Sequence, residues 1–594
     1  MIIHVNPLDP SGASAKTPEE ALAKLRGATG EKKMLIEAGI YYGTKLHLTP
    51  EDNGLIIEGT KQGRAVLSGG IPITDWKLDE KTGWFVAKAP EIDGKPTDFR
   101  LLLSEKGDYL KKARYPLEGV LHHRSSFTKL TWRGSCFGGW GRMLNRDEID
   151  NFIYNPDDFT DDFVYENAEV QIYHQWNESY TCIVGMDRET STFYLDPPCG
   201  HPVGSFNRTE YIIYNTAEGM AEDGRWYHDK KNNLIFYRPF PDQRAESFSA
   251  IVPITHTVIS MDPGCESITL KDIDVTAAST AVVTDLFSTK VMRGAGGFLS
   301  LEQTGAIQGE GLKSITLQDL HIYKTGGLAI KIKGDNLSVI GAHISECGAG
   351  GIALTNETPI PENPSEALLK DWPRVEGCRI DNIGVDYYSA VAIFIHNAVA
   401  RRNYIENIPY SGIVAYGDNI LIEDNVVLDP MQKLDDGAGI YKLLDKKGVI
   451  RNNYIERRKG SKSINCKGLY LDAPGEDFLV LGNVVKGFYF GFHYHIAQPG
   501  TVYKNNYFEY DGGNMTVTLH RSRGAHFIDN VFKCTGTFQI EGPKESIAEF
   551  KGNIIRHGGE AALYKQTRLL DHEPNLDPVP FVADETNSIE RITL

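Results

Sequence analysis

Two aspartates stand in sequence contexts suited to acid–base and nucleophilic chemistry. Asp436 directly precedes a glycine bend in the run Met431 to Tyr441, and Asp472 closes the segment Gly468-Leu-Tyr-Leu-Asp472. Cleavage of a glycosidic bond usually needs two carboxyl groups, one that protonates the leaving oxygen and one that acts as nucleophile or activates water. We therefore take Asp436 and Asp472 as the candidate catalytic pair. The alternative for Asp436 is a turn-capping role, which Asp before Gly often has.

Neighbouring residues favour different roles for the two carboxyl groups. In an extended segment Asp435 and Asp436 would point to opposite faces, so only one could enter a cleft, and Asp436 is the one next to the glycine. His495 aligns with Asp472 one repeat later, and with aromatic neighbours it would give Asp472 a less solvated setting that suits an acid. The sequence thus favours Asp436 as nucleophile or base and Asp472 as acid, with Glu476 as a reserve acid.

Other polar and aromatic side chains of this region are candidates for binding a substrate. We align the Gly-hydrophobic-Tyr segments that end at Tyr441 and Tyr470 with Gly491-Phe-His-Tyr-His495, which places His493 beside Tyr470 and brings His520 near the same column. Any single His could also be a hydrogen-bonded residue of the surface or core. Three histidines in one column make this alternative weaker. The predicted substrate contacts are Asp435, Tyr416, Tyr441, His493, His495, His520, Trp132 and Trp176.

These residues belong to a ladder of similar short segments. An Asn followed by a strand-favouring apolar triplet recurs every 22 to 30 residues, at Asn403, Asn425, Asn453, Asn483, Asn506, Asn530 and Asn553. Repeats of this length match one coil of a solenoid, whose apolar side chains are buried only by stacking on neighbouring coils. We predict an all-β chain built on a right-handed parallel β-helix, with the asparagines bonded to one another along a turn.

Patterning along the chain divides it into three parts. Residues 1–75 predict a cap with a short helix followed by the first coils, and residues 251–594 continue as the main β-helix. Between them, residues 76–250 lose the Asn ladder and show longer alternating segments, which predict an inserted antiparallel β-sandwich. This insertion holds Trp132 and Trp176. Each of these residues could pack in the core of the sandwich or stack on a sugar.

Composition excludes several classes of function. The 594 residues carry a formal net charge of −17, with 10% aromatic and 24% charged residues, which argues against disorder and against nucleic acid as a partner. The chain shows no run of about 18 apolar residues and no apolar leader after Met1, so we expect a cytoplasmic protein without a membrane partner. Eight scattered cysteines predict reduced thiols, and we expect no metal and no cofactor. The oligomeric state stays open, a homo-oligomer included.

Several motifs resemble those of the β-helix glycoside hydrolases of families 120 and 141. The matching stretches are Phe99-Arg to Arg114-Tyr-Pro, His174 to Ser179, Gly224 to Pro239, Ile408 to Ile413, Met431 to Tyr441 and Gly468 to Asp472. The resemblance covers nearly the whole chain and implies a xylosidase-like, exo-acting enzyme that hydrolyses plant cell-wall oligosaccharides with two carboxylates. The chain departs from the family pattern at Asp436-Gly-Ala-Gly, where relatives often have Asp-Gly-Gly, and at Lys442 after the Tyr.

Two other classes of function are compatible with a β-helix. A polysaccharide lyase acting on a uronate-containing glycan needs Lys or Arg as base and positive charge to neutralise the uronate. Lys442, Arg451 and Arg521 could supply these groups. A noncatalytic glycan-binding β-helix, as in phage tailspikes, would leave the aspartate-rich bend unexplained.

Overall fold

Strands dominate the chain, and its helices are few and short. The computed structural model describes residues 1–594 apart from 10–13, 98, 128–144, 206–207, 281–302, 361–371, 444, 459–464, 473–474, 496–498, 560–561, 567–578, 581–585 and 592–594. In this part of the chain the helices are the α-helix Pro18–Arg26 and 3-10 turns at Pro50–Asp52, Arg146–Glu148, Pro156–Asp158, Glu218–Met220, Ala245–Ser247 and Lys544–Ser546. None of the described helices is long and apolar enough to cross a membrane.

Three long sheets run along the molecule and form a solenoid, which confirms the predicted parallel β-helix. Sheet 1 contains Ile2–Val5, Lys32–Ile36, Leu55–Gly59, Thr269–Lys271, Thr316–Gln318, Ser338–Ile340, Arg374–Glu376, Val399–Arg401, Ile420–Glu423, Lys446–Arg451, Glu476–Leu481, Val502–Lys504, Ala525–Ile528 and Ile547–Lys551. Sheet 2 contains Gly39–Tyr42, Ala65–Ser68, Asp274–Thr276, His321–Tyr323, His343–Ser345, Arg379–Asp381, Tyr404–Glu406, Val426–Leu428, Tyr454–Glu456, Val484–Lys486, Tyr507–Tyr510, Val531–Cys534, Ile554–His557 and Ser588–Arg591. Sheet 3 contains Leu46–Leu48, Ile259–Met261, Gly305–Lys313, Leu328–Asp335, Ile352–Asn356, Ile393–His396, Ile413–Tyr416, Gly437–Leu443, Cys466–Asp472, Phe490–Tyr494, Met515–Thr518, Phe538–Gly542, Ala562–Gln566 and Val579–Pro580.

The core of the solenoid is made of equivalent residues from successive coils. In sheet 2 the buried side chains of Ile405, Val427, Ile455, Val485 and Phe508 pair in register along the axis. Full burial of such a side chain contributes about 1.5–3 kcal/mol. Because each coil buries its apolar residues only against the next coil, the repeat spacing fixes which residues become neighbours.

A left-handed residue makes the corner between sheets 1 and 2. The residue before each ladder asparagine has positive φ, for example 56° at Asp424, 55° at Asn452 and 63° at Gly482. Gly, Asn and Asp adopt this conformation most readily, which explains why they start most of the repeats, with Arg402 as the exception.

The predicted asparagine ladder is confirmed. From Asn425 onward, the side chain of each Asn accepts hydrogen bonds from the previous Asn and donates to a backbone carbonyl of the coil before it. Asn506 Oδ1 accepts from the backbone N–H of Asn483 at 2.9 Å and from its side chain at 3.0 Å, and Asn506 Nδ2 donates to Val480 O at 2.8 Å. The ladder continues one step beyond the repeats seen in the sequence, to Asn587.

Loss of one ladder asparagine is expected to destabilise the solenoid. Asn506→Ala removes the acceptor of the buried Asn483 N–H and the donor of Val480 O, and each orphaned buried group costs about 1–3 kcal/mol. Urea denaturation should show a loss of at least about 2 kcal/mol for this variant. The exposed Lys504 of the same corner gives the control, since Lys504→Ala should stay within about 0.5 kcal/mol of the parent. Equal effects of the two substitutions would contradict a structural role for the ladder.

The chain leaves the solenoid after Ala65–Ser68 and returns to it at Ile259–Met261, and the segment between forms mostly antiparallel sheets. Sheet 4 contains Lys77–Asp79, Trp84–Lys88, Lys111–Lys112, Arg225–Asp229 and Leu234–Tyr237. Sheet 5 contains Arg114–Tyr115, Leu121–His122, Asn151–Ile153, Glu169–Tyr173, Glu178–Asp187, Thr192–Asp196 and Glu210–Tyr214. Smaller pairings join Gly70–Ile73, Leu103–Ser104 and Ala250–Pro253, and Glu91–Ile92 with Lys95–Pro96.

The inserted segment holds two hydrophobic cores among its described residues. One core surrounds Trp226 beneath sheet 4 and the other surrounds Phe152 beneath sheet 5. The hairpin of sheet 5 reaches the solenoid, where the buried Glu178 carboxylate accepts from the backbone N–H groups of Tyr388 at 2.9 Å and Ser389 at 3.0 Å. The insertion is therefore anchored on the coils that precede the candidate catalytic aspartates.

Candidate active-site groove

Parallel register in sheet 3 builds a column of aromatic rings. Tyr441 pairs with Tyr470, and Tyr470 pairs with His493 on the next coil. The rings of Tyr441 and Tyr470 are stacked with centroids 4.5 Å apart, and His493 meets Tyr470 edge-on at 4.7 Å. Asp472 lies two residues after Tyr470, opposite Leu443 of the previous coil. The column thus places Asp472 on the same sheet as both tyrosines.

The Asp472 carboxyl is held from two sides. Tyr441 donates its hydroxyl to Oδ2 of Asp472 at 2.5 Å, and Nδ1 of His495 lies 2.6 Å from Oδ1. The His495 ring is followed by that of His520 at 5.0 Å. Asp472 is therefore fixed in orientation between a phenol and an imidazole, and the imidazole row continues from it along the helix axis.

Asp436 lies at the start of the preceding strand of the same sheet. Its backbone is left-handed, with φ of 56°, and its carbonyl accepts a hydrogen bond from the Tyr410 hydroxyl at 3.0 Å. Its carboxylate is ion-paired with the amine of Lys467, whose side chain is only 3% exposed and also donates to Asn465 Oδ1 at 2.9 Å. The Asp436 side chain itself is 29% exposed. The Asp436 carboxylate is therefore accessible to solvent while its partner, the Lys467 amine, is buried.

The Tyr470 ring connects the two aspartates. The Lys467 amine, which is paired with Asp436, lies 4.7 Å from the centroid of the Tyr470 ring. The Tyr441 ring, whose hydroxyl binds Asp472, stacks on the same Tyr470 ring. Burial raises the pKa of the Tyr470 phenol well above its ordinary value, and the negative charges of Asp436 and Asp472 both add to this rise. Both carboxylates therefore lie within electrostatic range of one buried phenol. We use the name groove for the surface of sheet 3 that carries Asp436, Tyr470, Asp472 and His495.

Asp435 is tied to the inserted segment. Its carboxylate accepts from Arg208 Nη1 at 2.9 Å, and its backbone N–H donates to the carbonyl of Gln175 at 3.0 Å. The expectation of opposite faces for Asp435 and Asp436 assumed an extended segment. That assumption is wrong, because the left-handed conformation of Asp436 turns the backbone at this point.

The remaining predicted substrate contacts do not all lie beside the two aspartates. Tyr416 ends the strand of sheet 3 in which Val414 pairs with Tyr441, so it lies on the coil before the two aspartates. Burial raises the pKa of Tyr416, and the Asp472 charge adds to this rise. Burial lowers the pKa of His493, whose Nδ1 contacts the Thr518 hydroxyl, which keeps this imidazole neutral. Trp176 is only 8% exposed and clusters with solenoid core residues, which gives it a packing role rather than an open stacking surface. Trp132 lies outside the described residues.

Three of the four charged residues considered from sequence, Lys442, Arg451 and Glu476, are held by partners other than the two aspartates. Lys442 is buried and donates to Leu443 O at 2.9 Å, and burial lowers its pKa to about 8. Arg451 belongs to sheet 1, where it donates to Glu423 at 2.7 Å. Glu476 also belongs to sheet 1 and is paired with Lys446, so it does not serve as a reserve acid beside Asp472. Arg521 directly follows His520 at the end of the imidazole row.

Sequence reasoning missed Lys467, Arg208 and Tyr410. An alignment of Gly437-Ala-Gly439 with Cys466-Lys-Gly468 could have found Lys467, because Ala438 and Lys467 pair in register. Arg208 carries no comparable signal, since it comes from the insertion. Among the described residues no group of three or more His, Cys, Asp or Glu is arranged to hold a metal ion, and their seven cysteines are free thiols.

Comparison with known proteins supports the architecture. A model described as right handed beta helix region matches residues 370–564. The fold is a right-handed β-helix. A solved structure titled "Glycoside hydrolase" shares 18% identity over 85% of this chain and 96% of that chain, with a TM-score of 0.62. The resemblance to β-helix glycoside hydrolases is thus confirmed at the level of the fold.

Other solved structures are more distant. A complex of XylC with xylose shares 12% identity over 100% of this chain and 86% of that chain, with a TM-score of 0.44. The GH136 lacto-N-biosidase from Eubacterium ramulus shares 10% identity over 100% and 68%, with a TM-score of 0.30. No protein of curated function matches the sequence.

Proposed function

We propose that this protein is a glycoside hydrolase that works with Asp436 and Asp472. The observation that carries the proposal is the placement of two partly exposed carboxyl groups on adjacent coils of sheet 3, connected through Tyr470 and held in different environments. Two carboxyl groups with distinct surroundings are what acid-assisted cleavage of a glycosidic bond requires.

The surroundings support different roles. The buried amine of Lys467 is ion-paired with the Asp436 carboxylate and holds it in place, which suits a nucleophile at the anomeric carbon or a base that takes a proton from water. Tyr441 and His495 orient the two carboxyl oxygens of Asp472, which in its protonated form would give its proton to the leaving glycosidic oxygen. As Asp436, or a water that it activates, forms a bond to the anomeric carbon, the glycosidic C–O bond breaks and its electron pair leaves with the protonated oxygen as an alcohol. Where Asp436 is the nucleophile, a water molecule then cleaves the glycosyl ester and restores the carboxylate.

The substrate class extends this proposal. The motif resemblance suggests an exo-acting, xylosidase-like enzyme acting on oligosaccharides of plant cell walls. The row of His493, His495 and His520 offers imidazole groups for binding sugar hydroxyls along the helix axis. The buried or paired states of Lys442 and Arg451 make these two residues poor candidates for the base of a lyase.

A comparison of two assays tests the class of reaction. A panel of aryl glycosides that includes aryl xylosides should release the coloured phenol if the protein is a hydrolase. A lyase would instead raise the ultraviolet absorbance of a uronate-containing polymer by forming an unsaturated product. Phenol release without such absorbance supports the proposal, and the reverse outcome, or neither signal, contradicts it.

The ion pair between Arg208 and Asp435 is expected to matter for turnover. Arg208→Ala removes one of the two contacts by which the insertion holds Asp435, the residue next to Asp436. A small displacement of a reacting group can lower the rate by up to about 10²-fold. We expect kcat to fall about tenfold or more. Arg146→Ala is the matched control, because Arg146 makes an exposed pair with Asp196 at 2.9 Å within the insertion. Equal kcat values for the two variants would argue against a positioning role.

A further inference from the structure

A second cleft lies in the inserted segment, apart from the groove of sheet 3. It has a volume of about 760 Å³ and opens between the hairpin that joins Lys77–Asp79 to Trp84–Lys88 and the loop 239–246. Ligand sites usually have volumes of about 300–1,000 Å³. The described residues that line the cleft all fall between Leu78 and Glu246, and none of the groove residues named above is among them.

Two aromatic side chains give this cleft apolar surfaces of fixed orientation. The partly exposed Trp84 ring stands edge-on to Tyr227 at 6.2 Å and to Phe236 at 6.4 Å. Phe240 is 47% exposed, and its ring lies so close to Gly224 that a Cβ there would come within 2.7 Å of it. Aromatic rings exposed in a cleft and held by their neighbours can stack on a flat apolar ligand face without losing side-chain freedom.

The cleft is lined by two positive and two negative side chains, those of Arg238, Arg244, Asp223 and Glu246. Arg238 Nε donates to Asp223 Oδ1 at 2.8 Å, and the Arg244 guanidinium donates to the carbonyls of Pro241 at 3.1 Å and Gln243 at 2.8 Å. The lining therefore offers hydrogen-bonding groups without an excess of one charge. A ligand that fits has an apolar face for the rings and a rim of uncharged hydroxyls for the polar edge.

We propose that this cleft binds a neutral oligosaccharide, with a sugar ring stacked on Trp84 or Phe240 and its hydroxyls bonded to the polar rim. Pyranose rings combine an apolar face of C–H groups with hydroxyls at the edge, which matches both features of the lining. Such a site would hold a glycan on the insertion independently of hydrolysis in the groove. The inference therefore stands or falls separately from the proposed reaction.

Affinity electrophoresis of the full chain tests this site. Native gels are run with soluble neutral polysaccharides, namely arabinoxylan, xyloglucan and galactomannan, and with anionic polygalacturonate. We expect retardation in at least one neutral gel, and Trp84→Ala and Phe240→Ala should each weaken the association constant about threefold to tenfold. Tyr194→Ala is the control, since Tyr194 is 44% exposed on sheet 5 of the same insertion. Turnover of an aryl glycoside should be unchanged in the two cleft variants.

Three outcomes overturn the inference. They are no retardation in any neutral gel, retardation only in polygalacturonate, and retardation that both cleft variants retain in full, which would assign binding to another surface. Phe240 is nearly half exposed, so Phe240→Ala keeps the test valid even where Trp84→Ala disturbs the fold. Circular dichroism and thermal denaturation of each variant establish which of them are folded.

Discussion

Replacement of Asp436 with Asn is expected to lower turnover of a glycoside substrate by about 10²- to 10⁴-fold. The amide keeps the shape of the side chain and can still contact Lys467, but it can neither attack the anomeric carbon nor take a proton from water. The measurement is kcat on both an activated aryl glycoside and an unactivated oligosaccharide, and both should fall. Added azide, which can replace a lost nucleophile, is expected to restore turnover in only one of the two aspartate variants.

Asp424 provides a matched control for the backbone conformation of Asp436. Asp424 has the same φ of 56° as Asp436, and it is exposed at a ladder corner. Asp424→Asn therefore makes the same chemical change in the same conformation outside the groove, and its kcat should equal that of the parent. A loss of less than about tenfold in Asp436→Asn would mean that this carboxylate has a structural role.

Asp472→Asn is expected to show a loss that depends on the leaving group. If Asp472 protonates the leaving oxygen, an unactivated substrate should lose about 10²- to 10⁴-fold in kcat, whereas an aryl glycoside with an acidic phenol should lose much less. Tyr441 and His495 both contact this carboxyl, so the amide oxygen of the variant can accept from one of them and its NH2 group can donate to the other, and the variant should remain folded.

The comparison of substrates separates the two roles. Parent and variant are assayed on a series of aryl glycosides in which the pKa of the phenol is varied, and the slope of log kcat against that pKa is compared. A steeper slope in Asp472→Asn than in the parent supports the acid role. Equal losses on activated and unactivated substrates in both aspartate variants would leave the assignment of acid and nucleophile without support.

The repeat spacing predicted more of the groove than a single motif could. In a parallel solenoid with matched coils, residues at equivalent positions become neighbours, so aligning Tyr441, Tyr470 and His493 by sequence gives their contacts in space. The same alignment brings His495 to Asp472 and His520 to His495. The asparagine ladder follows for the same reason, because each Asn stands at one corner of every coil.

Corners and long-range contacts limited the prediction. Glu476 follows Asp472 closely in sequence, yet Asp472 pairs in sheet 3 and Glu476 pairs in sheet 1. The extended conformation assumed at Asp436 is absent because this residue is left-handed. The repeat spacing therefore predicted well which residues are neighbours along the helix axis. It predicted poorly which way the side chains point at a corner.

The sequence by itself determined the all-β class, the parallel β-helix and the in-register column that carries Asp472, because periodic spacing dictates which side chains stack. Only the tertiary structure decided how the insertion meets that column. Arg208 reaches Asp435 across the chain, and Gln175 binds its backbone, through contacts that have no period in the sequence. The burial of Lys467 beside Asp436 and the burial of Trp176 were likewise decided by packing, because the repeat spacing does not determine which side chains the folded chain removes from water.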